Sequence, residues 1–491
     1  MFSHINIKQI LFIGLILRLL AVFFSPGYAF SDDHFEVIEL ANEWYKGNIS
    51  AVIGEGVNKF SLLYPGIHYF LIAASHRIGI SDPEGIMIIV RLFHAIVSIA
   101  GIYYAWLLTS QLTKNKEVPL VVALLVAVFW MFPFMSVRSL REFFCIPFLL
   151  AGSYFSVQKG YGNRSIILSA LFFVLAVCLR IQCVFFPLAT GLFWLLKKGQ
   201  LKKSFVFGLS FLAFFFLTQG LFDWLYYGKP LASTLEYFHY NSNPQNIKEY
   251  PTGPWYQYMG TLAGMTLGVP FFILLAGYIH SAKLSAESKL LFVASLLFFI
   301  FHSYYANKQE RFILPFLPYF LISGIVGFSE LYQKHRNKKW IRKVSRFSIG
   351  WFVIVNTILL FVLTFSYSKR SRVESMNYLR SKHDVTGIIM EGPVNPPMPP
   401  LFYLGKRVDY SNINSQDEIA HLLSEIENKM KPNYIIFVGN KNLESRVLKI
   451  EKIFPQLKKE KEITPGFIDN IAHWLNPKHN QNESWYIYKS K

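Results

Sequence analysis

The sequence predicts an all-α polytopic membrane protein. It reads as a bundle of about eleven transmembrane helices, N-terminus in and C-terminus out, followed by a small soluble α/β domain. Three observations predict this. Of the 491 residues, 53% are hydrophobic and 17% aromatic, and the excess is gathered into stretches of membrane-crossing length. Basic residues concentrate in alternate short loops. From about Ser371 the chain becomes charged and the long apolar stretches stop.

The spans are expected at roughly 7–24, 86–110, 118–136, 141–157, 165–182, 184–196, 204–222, 259–280, 290–306, 312–332 and 347–367. The first is not read as a signal peptide, because Arg18 interrupts it and no small-x-small cleavage site follows. The stretch 61–80 is apolar but carries His68, His76 and Arg77, which suits an interfacial or re-entrant helix. Cys145, Cys178 and Cys183 all fall within spans, as small core residues without a disulfide or zinc framework.

The net charge of +19 would suit a nucleic-acid partner, but its placement argues against one. The basic loops hold Lys114 and Lys116; Lys159 and Arg164; Lys197, Lys198, Lys202 and Lys203; Lys283 and Lys289. The densest runs from Lys334 to Arg346. With eleven spans and a cytoplasmic N-terminus, all of these lie on the cytoplasmic face, so the positive-inside rule accounts for the charge. The same alternation sets an acidic loop near residue 32 on the opposite face. Arg138, residues 223–258, Asn307–Arg311 and the tail after Ser368 lie there too.

The domains are therefore 1–370, membrane-embedded with a first external loop at about 25–85, and 371–491, soluble. Within the latter, Val385–Met390, Tyr434–Val438 and Trp485–Tyr488 read as strands. Asp417–Met430 and Leu443–Phe454 read as helices, and Pro393–Pro400 as a loop.

The residues that bear chemistry begin six positions after the first span. Phe30-Ser31-Asp32-Asp33-His34-Phe35-Glu36, then Glu39, sets four carboxylates beside the membrane, where dehydrating a carboxylate is costly. Asp33–Lys46 has helical periodicity, with Phe35, Ile38, Leu40 and Trp44 turned to the membrane and Glu36, Glu39 and Glu43 to water. Capping of that helix by Asp32 and Asp33 is the bland alternative. A second set, Arg138, Arg141, Arg180, Lys308 and Arg311, lies at the external ends of spans, and arginine's planar fork suits phosphate. Structural pairing of Lys308 and Arg311 with Glu310 is the alternative. His302 reads as intrabundle, and Arg18 and Arg91 as structural. The segment 223–258 is rich in aromatics, Gly and Pro, which suits either a sugar site or the headgroup level.

These segments together resemble glycosyltransferase family 22, the polyprenyl- or dolichol-phosphate-mannose-dependent α-mannosyltransferases of lipid-linked oligosaccharide and GPI-anchor synthesis. The acidic loop is similar to the family's Pro-Asp-Glu-x-Phe-Gln-x-x-Glu, with Ser31 in place of Pro. Ser136-Val137-Arg138-Ser139-Leu140 resembles Thr-Arg-Thr-Leu-Ser-Asn, but Arg141-Glu142 replaces Ser-Asn. Asp223 to Pro230, Phe238 to Asn241 and Gly253 to Tyr258 resemble the Asp…Tyr-Gly-Lys…Asn…Pro-Trp-x-Trp-Tyr block. Asn307 to Phe312 resembles His-Lys-Glu-x-Arg-Phe, and Arg180-Ile181 stands where the family has Arg-Pro.

Over about residues 10–330 the resemblance implies a GT-C fold and an inverting glycosyltransferase. Its substrates would be a polyprenyl-phosphate-sugar donor, most often mannose, and a glycan or glycolipid acceptor, met at the membrane lipid's non-cytoplasmic face. Asp32 is then expected as general base, with Asp33 binding acceptor hydroxyls or orienting Asp32. Arg138, Arg141, Arg180, Lys308 and Arg311 would hold the donor phosphate. His34, Glu36, Glu39, Tyr240, Trp255 and Tyr256 would line the sugar and acceptor site. No cofactor is expected: paired aspartates could hold a divalent ion, but the resemblance favours a metal-free reaction. The same fold using another polyprenyl-phosphate sugar is one alternative. A lipid or glycan transporter, or an inactive assembly scaffold, is another. The departures from eukaryotic motifs favour a bacterial inner membrane over the endoplasmic reticulum. The sequons at Asn48 and Asn482 decide little.

Overall fold

The computed structural model describes residues 5–51, 56–159, 162–248, 250, 252–393, 395–414, 432–475, 477 and 480–490. The chain forms two compact units. One comprises Met1–Val22, Val52–Ile67 and Arg91–Thr364; the other comprises Phe23–Ala51, His68–Val90 and Phe365–Lys491. The acidic loop is therefore grouped with the C-terminal residues.

The first unit is helical. Among the described residues, six helices are long and apolar enough to cross a membrane, and a bent pair would make seven. Other expected spans are helical but shorter, as at Ile146–Val157 and Phe185–Leu196, or broken. The expected span at 118–136 is helical over Glu117–Val128, breaks, and resumes at Phe132–Met135. Asn356 makes the break tolerable. Its Nδ2 donates to the Val128 carbonyl (2.8 Å) and its Oδ1 accepts from the Trp130 N–H (2.8 Å). The expected span at 259–280 bends by 113° between Gln257–Met265 and Val269–Ser281. Leu267 and Gly268, with φ of 64° and 73°, make the corner. The indoles of Trp130 and Trp351 donate to the freed carbonyls of Met265 (2.9 Å) and Leu267 (2.8 Å). In hydrocarbon, such internal partners are what permit a broken helix.

Arg18 is buried and structural, as its sequence context suggested. Its Nε donates to Ser98 Oγ (2.7 Å), and its Nη1 donates to the carbonyls of Gly14 (3.1 Å) and Ala127 (3.2 Å). It closes the C-terminal end of the Glu117–Val128 helix, where unsatisfied carbonyls concentrate negative charge. The Val269–Ser281 and Leu317–His335 helices pack backbone to backbone: a Cβ on Gly277 would lie 1.9 Å from the Gly324 carbonyl oxygen. Small residues permit such close contact in membranes. Cys145, Cys178 and Cys183 are buried free thiols.

The second unit contains a five-stranded sheet of order β2-β1-β3-β5-β4. The strands are β1 Gly387–Gly392, β2 Asp409–Asn414, β3 Tyr434–Val438, β4 Lys458–Ile463 and β5 Trp485–Lys489. β1 pairs in parallel with β2 and β3, whereas β5 is antiparallel to β3 and β4. β1 and β3 are buried throughout; β3 is wholly apolar, and β1 carries one charge, Glu391, paired with Arg446 at 2.6 Å. The Leu443–Glu451 helix covers one face, with Leu443, Val447 and Ile450 against Ile389, Ile435 and Phe437. The expected helix at 417–430 lies outside the described residues.

Two short segments tie the first external loop to this unit. Ser25 Oγ donates to the Ser366 carbonyl (2.7 Å), the Ser368 N–H donates to the Pro26 carbonyl (3.1 Å), and Gly27 bridges Ser368. Gly27 has φ +84°, and a Cβ there would strike the Ser368 oxygen at 1.8 Å. Glycine alone fits on both counts.

Candidate active site

The acidic residues fold as one continuous helical turn. Ser31–Asp33 begins it, His34–Glu39 is a π-helical stretch, and Leu40–Tyr45 returns to α. A π-helical insertion widens the spacing, so carboxylates four apart no longer stack as in an α-helix. Asp32 is exposed and Asp33 is buried. Phe30 is the N-cap and makes no side-chain cap bond; the aspartates sit inside the first turn.

The face expected to meet the membrane is largely buried instead. Ile38 and Leu40 are buried. Phe35 and Trp44 are half-buried. His34 is buried between two rings, stacked on Tyr28 (centroids 4.5 Å apart) and Tyr403 (5.5 Å). Glu39 lies 3.4 Å from His34 Nε2 and accepts the Phe402 N–H at 2.7 Å. Glu36 is half-buried. Burial raises the pKa of the Tyr28 phenol, opposed by nearby Arg372.

Arg372, which the sequence did not single out, holds this turn in place. Its Nη1 donates to Ser31 Oγ (3.2 Å) and its Nη2 to the Gln481 carbonyl (2.9 Å). No sequence signal marks it, since it lies 341 positions from Ser31.

Two of the expected cations meet in the first unit at one carboxylate. Glu142 Oε1 lies 2.9 Å from Arg180 Nη1 and 3.6 Å from Arg311 Nε. All three side chains are buried. The available signal was that Glu142 stands where the resembled motif has a neutral residue. Arg180 is placed by the turn that ends the Gly162–Leu179 helix: it is the extended N-cap of the 3₁₀ segment Ile181–Val184. Its guanidinium lies over the Phe312 ring at 4.5 Å. Arg180 Nε and Nη2 have no hydrogen-bond partner among the described residues. Arg311 Nε also donates to Gln309 Oε1 (2.9 Å). Thus two guanidiniums meet at one carboxylate.

Arg138 and Arg141 are buried as well, each over a phenyl ring at 4.2 Å, Phe134 and Phe60 respectively. Lys308 is engaged differently. Its ammonium donates to the carbonyls of His302 (2.8 Å) and Ser303 (2.7 Å), and to that of Tyr305. These end the Ala286–Tyr304 helix. The ion pairs found for Arg311 include Glu142, and Glu310 is exposed. His302 is an intrabundle residue, its Nδ1 2.8 Å from the Phe298 carbonyl.

The aromatic segment is helical over Leu221–Tyr227 and Ala232–Ser242. Asp223 is buried and accepts the Ser233 N–H (2.9 Å), which fixes the start of the second helix. Tyr240 lies under the Lys59 ammonium (3.9 Å), and its hydroxyl meets that of Tyr250 (2.7 Å). Trp255 and Tyr256 are exposed. Beside Arg180 is a cavity of about 30 Å³, lined by Lys59, Gln182, Gln219, Ser233 and Tyr237. That is room for a water or two. Among the described residues, no group of three His, Cys, Asp or Glu side chains is arranged to hold a metal ion.

A sequence model of the Alg9-like mannosyltransferase family matches residues 9–388. The chain belongs to this family. It is a membrane glycosyltransferase of the mannosyltransferase type. It is similar to GPI mannosyltransferase 3 of Yarrowia lipolytica, with 23% identity over 384 residues, 74% of this chain and 68% of that protein. Similarity to GPI mannosyltransferase 3 of Debaryomyces hansenii is 22% over 375 residues, 72% of this chain and 64% of that one. A probable Dol-P-Man:Man(7)GlcNAc(2)-PP-Dol alpha-1,6-mannosyltransferase of Schizosaccharomyces pombe is 27% identical over 216 residues, 42% of this chain and 37% of that protein. The fold is that of ArnT from Cupriavidus metallidurans, solved bound to undecaprenyl phosphate. The TM-score is 0.62 at 9% identity, covering 98% of this chain and 97% of that one. As an Alg9-like family member, the chain has the GT-C architecture expected from its motifs: a helical membrane part and a small C-terminal sheet.

Proposed function

We propose that this Alg9-like protein transfers a sugar, mannose first among candidates, from a polyprenyl-phosphate donor to a hydroxyl of a glycan or glycolipid. The observation that carries the reading is the buried pair Arg180 and Arg311 sharing one carboxylate, Glu142, at 2.9 and 3.6 Å. Buried guanidiniums are suited to a leaving phosphate, whose negative charge grows as the glycosidic bond breaks. The S. pombe relative, named for a Dol-P-Man donor, supports this donor class.

The reaction is a single displacement. The acceptor oxygen attacks the anomeric carbon opposite the phosphate, and the carbon–oxygen bond to phosphate breaks. The electron pair leaves on the lipid phosphate, and the acceptor's proton passes to a carboxylate base. A β-linked donor thereby yields an α-linked product. Asp32 is the base in this reading, since its carboxylate is exposed while that of Asp33 is buried. Asp33, His34, Glu36 and Glu39 shape the turn or meet the acceptor, and Tyr240, Trp255 and Tyr256 meet the sugars. Arg138, Arg141, Arg180 and Arg311 take the phosphate. Lys308 shapes the loop that carries Arg311. The reaction runs at the non-cytoplasmic face without a metal. In a bacterial inner membrane, which the motif departures favour, the lipid would be of the undecaprenyl type.

The test is sugar transfer by purified protein, wild type beside Asp32→Asn, with polyprenyl-phosphate-mannose and a panel of mannose-terminated acceptors. Turnover in wild type and near-complete loss in a normally folded variant are expected. Turnover untouched by the substitution would remove Asp32 as base. Failure with every polyprenyl-linked sugar would overturn the proposed donor class and bring the transporter and scaffold readings forward.

A further inference from the structure

The Phe467–Leu475 helix of the second unit carries an apolar face that its own unit leaves bare. Phe467, Ile471, Trp474 and Leu475 are spaced i, i+4, i+7 and i+8, so they share one side. They are 67%, 37%, 80% and 69% exposed. Four large apolar side chains on a single nine-residue helix are not scattered surface residues; they are a contiguous patch of the kind that meets another phase or molecule.

The opposite side is polar and anchored. Asp469 is buried; its Oδ1 accepts the Lys369 N–H (2.8 Å) and its Oδ2 the Arg370 N–H (3.0 Å). Asn482 Nδ2 donates to the Asp469 carbonyl (3.2 Å), and His473 Nδ1 lies 2.7 Å from the Asn480 carbonyl. The anchor point decides what the patch faces. Lys369 follows the last residue of the apolar Lys339–Thr364 span by five positions, so the helix is bonded to the stretch of chain that directly continues that span. Phe24 and Phe365, at the ends of the first and last spans, are likewise exposed and meet ring to ring at 5.4 Å.

We propose that the Phe467–Leu475 helix lies in the membrane interface, its Phe467, Ile471, Trp474 and Leu475 face seated at the boundary of headgroups and acyl chains. An amphipathic helix with Trp and Phe on one side and polar groups on the other suits that layer, and Trp favours it. The occupant of the face is lipid. The same anchor reaches the acidic turn: residues 366–368 pair with 25–27, and Arg372 holds Ser31. Resting on the transferase reading, the helix thus sets the height of Asp32 at the lipid–water boundary, where a lipid-borne donor meets a polar acceptor.

The test uses full-length protein in nanodiscs, with a nitroxide label on one introduced cysteine at a time: Phe467→Cys, Trp474→Cys or Leu475→Cys. Asn470→Cys on the polar side and Lys452→Cys are the aqueous controls. The three native cysteines are buried. Accessibility to oxygen, which partitions into lipid, is compared with accessibility to a water-soluble nickel chelate. The ratio should shift toward oxygen at 467, 474 and 475 and stay water-like at 470 and 452. A water-like ratio at all five positions overturns the proposal. So does exclusion of both reagents at 474 and 475, which would mean that protein, such as a second copy, covers the face. None of these outcomes depends on whether sugar transfer is observed.

Discussion

Replacing Glu142 by Gln is the perturbation that separates a phosphate site from a structural ion pair. The change keeps shape and removes one negative charge from between Arg180 and Arg311, which lie 2.9 and 3.6 Å from it. Breaking a buried pair while its partner stays charged costs about 3–5 kcal/mol, because the remaining charge is dehydrated and uncompensated. The unliganded Glu142→Gln protein should therefore melt below wild type. A bound lipid phosphate restores negative charge to the same guanidiniums. If only about 1.4 kcal/mol of the loss is recovered on binding, affinity for polyprenyl phosphate rises about tenfold.

Arg180→Met is the matching control. It too removes a buried charge, but it discards a phosphate ligand. The assay is thermal unfolding in detergent, titrated with polyprenyl phosphate, for wild type and both variants. Ligand that binds only the folded state raises the midpoint in proportion to its affinity. Glu142→Gln should start lower and gain more from lipid phosphate than wild type; Arg180→Met should start lower and gain less. Equal gains in the two variants would refute the reasoning and leave Glu142 and Arg180 as a structural pair.

Two further outcomes follow from packing and titration. Gly277→Leu should prevent the Val269–Ser281 and Leu317–His335 helices from closing, since even a Cβ at Gly277 would sit 1.9 Å from the Gly324 oxygen; loss of monodisperse protein on size-exclusion chromatography is expected, with Gly350→Leu, in open space, unaffected. Lys369 is half-buried, and desolvation pushes its pKa down to about 7, with Arg372 adding to the effect and Asp469 opposing it. Between that value and the ordinary lysine range the unfolded chain binds the extra proton, so stability should rise with pH there and lie flat below about 7. Lys369→Met should flatten the rise in a pH series of thermal midpoints.

The sequence revealed what is local and periodic. β3 lies at the expected Tyr434–Val438, and β5 and the helix from Leu443 lie within a few residues of their expected bounds. Their apolar periodicity is strong. β4, Lys-Lys-Glu-Lys-Glu-Ile, was invisible because an exposed edge strand studded with charge has no apolar period to detect. β2, Asp-Tyr-Ser-Asn-Ile-Asn, is the other edge strand, and its polar residues leave no apolar run to detect. The spans at 118–136 and 259–280 read as continuous because hydropathy cannot see Asn356, Trp130 and Trp351 supplying partners to a broken backbone. In the candidate site the arginines were legible from charge at span ends. Glu142 was not, since its partner Arg180 is separated from it by two helices, Ile146–Val157 and Gly162–Leu179, and their connecting turns.

Arg18 and Lys308 show why a cation near a membrane helix end is ambiguous from sequence alone. Arg18 spends its donors on Gly14, Ala127 and Ser98; Lys308 spends its own on His302, Ser303 and Tyr305. Each closes a helix C-terminus whose carbonyls would otherwise lie bare in a poor solvent. Arg180 differs in kind. One nitrogen meets Glu142, and Nε and Nη2 have no partner among the described residues. A buried guanidinium held by one carboxylate and one phenyl face keeps donor capacity in reserve, and unused donors are expensive in a dry setting. Such a cost is expected where strain is relieved by the ligand itself. That contrast is why the phosphate is assigned to Arg180 and its neighbours, and Lys308 to holding the loop on which Arg311 stands.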